Sequence, residues 1–300
     1  MTTDHFYQII QDTICYIEKH LKTNLTLDTL SASLHVSKFH LHRLIRHSTG
    51  HPLMEYIRAR KLSQSIDYLL NANWKIIDIA AEFGFEHEQS YIRSFKKQFG
   101  VTPASLRKQF QQITLTEKYD VSRLERVADG IVFEPAFVVK PGCLLVGKKN
   151  QIYVQENYEH HTANAAGLEF FSQIMPHVPD KVHEHLYIGL THMVEDPSYT
   201  YYYPSTEVHS FEQQDLSLYR NVLAPHKYIV FTYVGDFHPA HLTFRQLEQI
   251  WNYIDAWMPQ AGYDFSDPYY FEYIDESLAR DDYCEVGLYI PISSNVSIHS

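Results

Sequence analysis

Polar and basic side chains follow a helical spacing between residues 87 and 99. Gln89 and Arg93 lie four residues apart, and Lys96 follows three residues later. Residues at these separations share one face of an α-helix. Gln and Arg pair with adenine and guanine in the major groove of DNA, whereas Lys contacts phosphates. The spacing therefore predicts a DNA-contacting face formed by Glu88, Gln89, Ser90, Ile92, Arg93, Lys96 and Lys97.

A similar pattern occurs fifty residues upstream. At this offset Arg43 corresponds to Arg93, and Gly50 corresponds to Gly100. A single helix with basic residues is most often only a solvated surface, so the duplication is what favours DNA binding. Either arginine could instead pair with a neighbouring acidic residue. The outward residues expected in the first copy are Phe39, His42, Arg43 and Arg46.

A second kind of chemistry is indicated by the tyrosines, most of which follow residue 110. In the segment 284–292, strand alternation places Glu285 and Tyr289 on one face. A carboxylate among aromatic rings suits a lipophilic cation, although such tyrosines could also be ordinary cross-strand pairs on a half-exposed sheet. We expect the pocket to lie on this face, opposite the helices. Its expected residues are Tyr187, Tyr201, Tyr203, Trp257, Glu285 and Tyr289.

The net charge is unevenly distributed along the chain. The total is −11, but residues 1–110 carry a balance of +4 and residues 111–300 carry −15. The first part would attract a polyanion such as DNA, and the second would repel it. We therefore expect a DNA-binding domain at 1–110, a connector at 111–137 and a domain with a different partner at 138–300.

Several classes of protein are disfavoured by the bulk features of the chain. Neither an apolar run long enough to span a membrane nor a secretory signal pattern is present in the sequence. Three scattered cysteines suit reduced thiols, so we expect a cytoplasmic protein. No cofactor or metal is expected, because the histidines lack recognised ligand spacing and are interpreted as surface or structural residues: His183, His185, His192, His238 and His241.

The two DNA-contacting faces require a scaffold, and the sequence predicts two helix-turn-helix motifs. The segments 27–36 and 77–85 are short helical patterns that end in tight turns, each followed by a longer helix. His35 and Gly84 are expected to have left-handed backbone in these turns. The segment 52–70 reads as one connecting helix of about 27 Å. Two helices held that far apart could reach successive major-groove faces, which recur about every 34 Å.

The second motif has a distinctive set of residues at fixed spacing: Ile79-Ala80, Gly84-Phe85, Tyr91, Arg93, Phe95-Lys96, Phe99-Gly100, Thr102-Pro103 and Arg107. This set resembles the signature of the AraC/XylS family of bacterial transcription regulators. Leu106 stands where the family usually has an aromatic residue, which is a packing change only. The resemblance implies a DNA-binding domain over roughly residues 6–110.

The last 160 or so residues are predicted to form an α+β domain. Helices are expected at 164–175 and at 241–257, with the latter ending before Pro259. Strands are expected at 143–147, 185–192, 200–208, 227–235 and 284–292. A set of residues in this region is distinctive: Gly235, Trp257-Met258-Pro259, Gly262-Tyr263, Glu285 and Ile290-Pro291. This set resembles the GyrI-like effector-binding family.

These features together predict an all-α double helix-turn-helix domain followed by an α+β GyrI-like domain. The expected function is transcription regulation through duplex DNA, with a small hydrophobic or cationic effector and no membrane association. We expect no enzymatic activity. Two alternatives stay open for the second domain: hydrolysis of electrophilic small molecules, using Glu285 and Tyr289, and a protein interaction, for instance with RNA polymerase.

Overall fold

The computed structural model describes residues 5–71, 73–109 and 111–293, which fall into two compact units. One unit runs from Phe6 to Arg123, and the other begins at Leu124. The fold class predicted from the sequence is confirmed, because the first unit is helical and the second combines helices with a large antiparallel sheet. Within the described ranges, no helix is both long and apolar enough to cross a lipid bilayer.

The helices of the first unit follow the predicted repeat. His35 and Gly84 have positive φ angles of 53° and 71°, which confirms the left-handed turns. Gly50 and Gly100 end the two longer motif helices in the same conformation, which glycine adopts without steric penalty. The helices are α1 (His5–Lys19), α2 (Leu27–Leu34), α3 (Lys38–Thr49), α4 (Leu53–Leu70), α5 (Ile76–Glu82), α6 (Glu88–Phe99) and α7 (Pro103–Lys108).

Helix α4 joins the two motifs and contributes to the core of the second. Leu62 and Ile66 of α4 are in one buried cluster with Tyr91 and Phe95 of α6. The Tyr91 hydroxyl and Ser65 Oγ are 2.9 Å apart and form a buried hydrogen bond. A polar contact inside an apolar interface fixes the orientation of the ring, because an unpaired hydroxyl there would be unfavourable.

Two buried cations on α4 connect it to the surrounding backbone. Lys61 Nζ donates to the carbonyl oxygens of Thr23 at 2.7 Å and Phe83 at 3.0 Å, so it contacts the loop before α2 and the end of α5. Arg60 forms a two-pronged ion pair with Glu18 of α1, at 2.8 and 2.7 Å. These contacts hold the two helix-turn-helix motifs in a fixed arrangement.

The segment 111–137, expected to be a connector, is divided between the two units. Its first part lies along α4, where the Thr116 backbone N–H donates to Ser63 Oγ at 2.9 Å. The Tyr119 backbone N–H donates to the Tyr56 hydroxyl at 3.0 Å. The rest of the segment forms strands of the second unit. This stretch contacts α4 through hydrogen bonds of its backbone, which require no periodic pattern of residue types. Its sequence therefore does not indicate that it packs on α4.

The second unit is built on one antiparallel sheet with helices packed against it. Its strands are β1 (Glu125–Val127), β2 (Gly130–Val132), β3 (Ala136–Lys140), β4 (Cys143–Gly147), β5 (Asn150–Tyr153), β6 (Leu186–His192), β7 (Tyr199–Val208), β8 (Tyr219–Leu223), β9 (His226–Gly235), β10 (Tyr269–Asp275) and β11 (Cys284–Pro291). The strand order is β1-β2-β9-β11-β10-β6-β7-β4-β8, with β3 also paired to β9 and β5 to β7.

The helices of this unit are α8 (Val154–His160), α9 (Thr162–Glu169) and α10 (Phe244–Gln260), and a π-helical turn, Phe170–Ile174, continues α9. The five predicted strands are confirmed as β4, β6, β7, β9 and β11. The predicted end of α10 before Pro259 is wrong, since the helix reaches Gln260. Pro259 lies in the last turn, where it removes one backbone hydrogen bond without stopping the helix.

One face of the sheet forms the main core with α10. Val286, Leu288 and Ile290 of β11 are fully buried against Ile250 and Ile254 of that helix. This placement confirms the predicted alternation on β11. The sequence does not predict β10, the neighbour of β11 in the sheet, and this strand carries the main polar residue of the site described below.

Candidate functional sites

Helices α3 and α6 each bury one face and expose the other. In α6, Tyr91 and Phe95 are completely buried, and in α3 the same is true of Leu41, Leu44 and Ile45. The opposite faces carry the residues predicted to contact DNA. Six of these residues are exposed: Arg46, Gln89, Ser90, Arg93, Lys96 and Lys97. Five are half-buried: Phe39, His42, Arg43, Glu88 and Ile92.

Some of the half-buried candidates also have partners inside the unit. Ile92 packs against the buried cluster of α4, α5 and α6. Arg43 Nη2 lies 3.3 Å from His47 Nε2, one helical turn away. These contacts limit how far either side chain can move, so the exposed positions are the better candidates for contacting base edges.

The exposed cations of α3 and α6 differ from the buried cations of α4. Arg60 and Lys61 are engaged in the ion pair and backbone contacts described above. On α3 and α6, the exposed Arg46, Arg93, Lys96 and Lys97 form no side-chain hydrogen bond or ion pair with another described residue. Their donors are therefore available for phosphate oxygens or for guanine in the major groove.

The second unit contains a cavity of about 270 Å³ on the helix-covered face of the sheet. Its floor is formed by strands β5, β6, β7 and β10, and its walls by α8, α9, α10 and the turn 238–240. The aromatic side chains that line it are Phe171, Tyr187, Tyr202, Phe244, Trp251 and Tyr270. Such a partly open, aromatic cavity with few polar groups is typical of a small-molecule site.

Glu272 of β10 supplies a carboxylate to the cavity floor. It pairs with Leu288 of β11 and with Gly189 of β6. A Cβ atom at position 189 would lie 2.8 Å from Glu272 Oε2 and 2.7 Å from the Tyr202 hydroxyl. The absence of a side chain at Gly189 therefore leaves the space that the carboxylate and this hydroxyl occupy.

The Glu272 carboxylate is buried, and no cationic side chain among the described residues compensates it. The residue is 8% exposed, and its side chain forms no hydrogen bond or ion pair with another described residue. Neither Lys nor Arg is among the described residues that line the cavity. Burial raises the pKa of Glu272 to about 7, because desolvation disfavours the charged form.

The tyrosines around Glu272 are neutral groups that present ring faces and hydroxyls. The hydroxyls of Tyr187 and Tyr202 form a short hydrogen bond with each other. Burial, followed by the nearby Glu272 charge, raises the pKa of Tyr187 above its usual range. The ring centroids of Trp251 and Tyr270 are 4.3 Å apart. Aromatic faces beside a buried carboxylate attract a cation that carries apolar surface.

Among the pocket residues predicted from the sequence, only Tyr187 lines this cavity. Tyr201, Tyr203 and Tyr289 contribute to an aromatic cluster on the opposite face of the sheet. Glu285 is also outside, where its carboxylate accepts a hydrogen bond from the Tyr283 hydroxyl at 2.6 Å. Trp257 packs edge-on against Phe231, with ring centroids 5.3 Å apart, and likewise does not line the cavity.

The difference between the cavity and the expected residues has one cause: the pocket was expected on the face of the sheet without helices. The cavity instead lies beneath the helices, where α8, α9 and α10 do not close fully over the floor. The residues missed were Tyr202, Trp251, Tyr270 and Glu272. Tyr270, Glu272 and Ile274 are spaced two residues apart, as are residues on one face of a β-strand. This spacing could have indicated a strand here.

The predicted absence of a metal site concerns histidines spread over the second unit. His238 is the one of these five that lines the cavity, where its Nδ1 accepts from the Ala240 backbone N–H at 3.1 Å. Among the described residues, no group of three or more His, Cys, Asp or Glu side chains is arranged to hold a metal ion.

Comparison with known proteins matches both units. A helix-turn-helix domain family matches residues 30–109, and the GyrI-like small molecule binding domain matches residues 134–293. The Right origin-binding protein of Escherichia coli (strain K12) is 43% identical over 100 residues, which are 33% of this chain and 35% of that protein. The HTH-type transcriptional activator AarP of Providencia stuartii is 35% identical over 99 residues, 33% of this chain and 73% of that protein.

The matched region is thus about a third of the length of the first of these relatives, 35%. Among solved structures, the C-terminal domain of AraT, a response regulator from Geobacillus stearothermophilus, is 27% identical. The alignment covers 35% of this chain and 88% of that chain, with a TM-score of 0.33. A score this low by itself supports no inference about function.

Proposed function

We propose that this chain, which belongs to the GyrI-like small molecule binding domain family and carries an AraC-type helix-turn-helix domain, is a DNA-binding transcription regulator that responds to a small effector. The observation that carries the proposal is the pair of equivalent helices, α3 and α6, on which the exposed Arg46, Arg93, Lys96 and Lys97 have no partner among the described residues. The names of the relatives, for origin binding and for transcriptional activation, support the same function.

The two helices would read two parts of one DNA site. Helix α4 has 18 residues, and a helix of this length spans about 27 Å. The contacts of Lys61 with the loop before α2 and with the end of α5 would keep the spacing of α3 and α6 constant. A single chain would then contact two major-groove segments about one turn apart, as dimers of simpler helix-turn-helix proteins do.

Replacing Arg93 by Ala is expected to weaken binding to the best DNA site by about 1–3 kcal/mol and to relax the preference at one base pair. The reason is the loss of a two-pronged contact to a base edge. The measurement is a titration of labelled DNA carrying each base in turn at every position. An unchanged affinity and unchanged base preferences would remove Arg93 from the reading surface.

Lys97 provides the matched comparison on the same helix. We expect Lys97→Ala to weaken all DNA sequences alike and to reduce the slope of log affinity against log salt by about one, because a phosphate contact is lost. If Lys97→Ala changed a base preference and left the salt dependence intact, the division between reading and phosphate-contacting residues would be wrong.

The proposed effector is a lipophilic cation that occupies the cavity above Glu272. Among the described residues the carboxylate is buried without a cationic partner, and Tyr187, Tyr202 and Tyr270 line the same cavity. A bound cation would supply the missing charge, and its apolar groups would be buried against the aromatic walls. The family name, with its reference to small-molecule binding, agrees with this proposal.

Cation affinity is expected to rise as the pH increases through about 7, the raised pKa of Glu272. Below this value the carboxyl is neutral in the empty cavity and must lose a proton before an ion pair forms. Above it the carboxylate is already charged. Calorimetry at pH values of about 6 and 8, in buffers of different ionisation enthalpy, measures both the affinity and the released proton. Equal affinities and no proton release would contradict the role of Glu272.

A further inference from the structure

We propose that the cavity prefers elongated dications, with one cationic centre beside Glu272 on the floor and the second beside Glu276 at the rim. This inference rests on the proposed binding of cations in the cavity, and it specifies which cations are preferred. Both carboxylates belong to residues that line the cavity. They differ in burial, in partners and in position along the chain, and these differences define two separate subsites.

The chain from Glu272 to Glu276 is extended and follows the cavity lining. Glu272, Ile274 and Glu276 all line the cavity. The backbone is extended up to Asp275, with φ −96° and ψ 104°, just before a short 3₁₀ turn begins at Glu276. Since an extended chain advances about 3.3 Å per residue, the two glutamate Cα atoms are separated by roughly 13 Å. Alternation places both carboxylates on the cavity side.

The two carboxylates differ in their environment. Glu272 is 8% exposed and forms no side-chain hydrogen bond or ion pair with a described residue. The Glu276 side chain is 47% exposed, and its carboxylate lies 3.7 Å from His185 Nδ1. The Glu276 backbone N–H donates to the His185 carbonyl at 2.9 Å, which fixes this residue at the start of β6. The rim carboxylate is therefore held in place and has only a loose, half-exposed partner.

The surface between the two subsites is apolar and aromatic. Ile274 lies between the glutamates on the same strand, and Trp251 and Tyr270 line the cavity nearby. None of the described lining residues is Lys or Arg, so nothing in the wall repels a second positive charge. A ligand with an apolar spacer between two cationic ends matches this order of charged, apolar and charged surface.

The test uses the full chain and a series of bis(trimethylammonium) alkanes. The distance between their two nitrogen atoms is shorter than, equal to or longer than the distance between the Cα atoms of Glu272 and Glu276. Tetraphenylphosphonium serves as the monocation. We expect an affinity maximum at an intermediate spacer, about three- to tenfold above the shortest member, since the half-exposed rim pair contributes little more than a surface ion pair. Glu276→Gln should abolish this maximum. Glu156→Gln, on exposed α8 surface away from the cavity lining, should retain it.

The outcomes separate this inference from the proposed function. If the monocation binds and the affinity of the dications rises only smoothly with length, in wild type and in Glu276→Gln alike, the two-subsite inference is overturned and cation binding stands. If neither the monocation nor any dication binds, both are overturned. A maximum that survives Glu276→Gln would show that another group holds the second charge, and would also overturn the inference.

Discussion

Replacing Glu272 by Gln is expected to weaken binding of a lipophilic monocation by about 2 kcal/mol or more, which is roughly thirtyfold. The substitution keeps the size of the side chain and removes the negative charge from the cavity floor. Because the carboxylate is buried among aromatic rings, solvent screens its attraction for a cation very little. Fluorescence titration or calorimetry above pH 8 measures the effect.

The stability of the ligand-free variant would separate this effect from misfolding. Burial raises the pKa of Glu272 from 4.5 to about 7. Ionisation of this carboxyl is therefore less favourable in the folded chain than in the unfolded chain. The folded state is therefore destabilised by this group as the pH rises from about 4.5 through 7, and Gln lacks that penalty. The ligand-free variant should be at least as stable as wild type at pH 8, as measured by thermal unfolding.

Glu285→Gln is the matched control, since Glu285 is also a β-strand glutamate of this sheet but does not line the cavity. Its cation affinity should equal that of wild type. If Glu285→Gln lowered the affinity and Glu272→Gln did not, the ligand would bind on the opposite face of the sheet, as the sequence analysis expected.

Replacing Arg60 by Met is expected to destabilise the N-terminal unit by about 3–5 kcal/mol. The Arg60 side chain is 5% exposed and that of Glu18 is 18% exposed, so the substitution leaves a largely buried carboxylate without its partner. It also removes the donor to the Thr116 carbonyl, which holds the segment after α7 against α4. Denaturant unfolding followed by circular dichroism measures the change.

Arg58 is a suitable control because it lies on the exposed face of the same helix. Arg58→Met should change the free energy of unfolding by no more than about 0.5 kcal/mol, as is usual for surface substitutions. Equal effects of the two substitutions would mean that the Arg60–Glu18 pair contributes no more than an ordinary surface charge.

The helical unit could be predicted closely from the sequence because its signals are local. Gly50 and Gly100 mark the ends of α3 and α6, and Thr102 followed by Pro103 marks the start of α7, where the Thr102 hydroxyl accepts from the Ser105 backbone N–H at 3.1 Å. What could not be predicted is the role of Lys61. Its two acceptors are carbonyls far away in the sequence, and no pattern of residue types indicates such a contact.

The sequence predicted an aromatic cavity with one carboxylate, but it did not predict the face of the sheet on which the cavity lies. Alternation shows which residues of a strand share a face, and it correctly grouped Glu285 with Tyr289 and Val286 with Leu288. It does not show which face the ligand occupies, because that depends on how far the helices cover the sheet. Glu272 was missed for a second reason: β10 was not predicted as a strand, although its Tyr, Phe and Ile residues favour strands.

The most direct test of the central claim, that one chain reads DNA with two equivalent helices, is selection of bound sequences from random duplex DNA. For wild type we expect one asymmetric site of about two helical turns, with two preferred segments about one turn apart. Arg46→Ala should relax the preference in one segment, and Arg93→Ala should relax it in the other. Enrichment of no sequence, or of a single short segment indifferent to both substitutions, would contradict the claim.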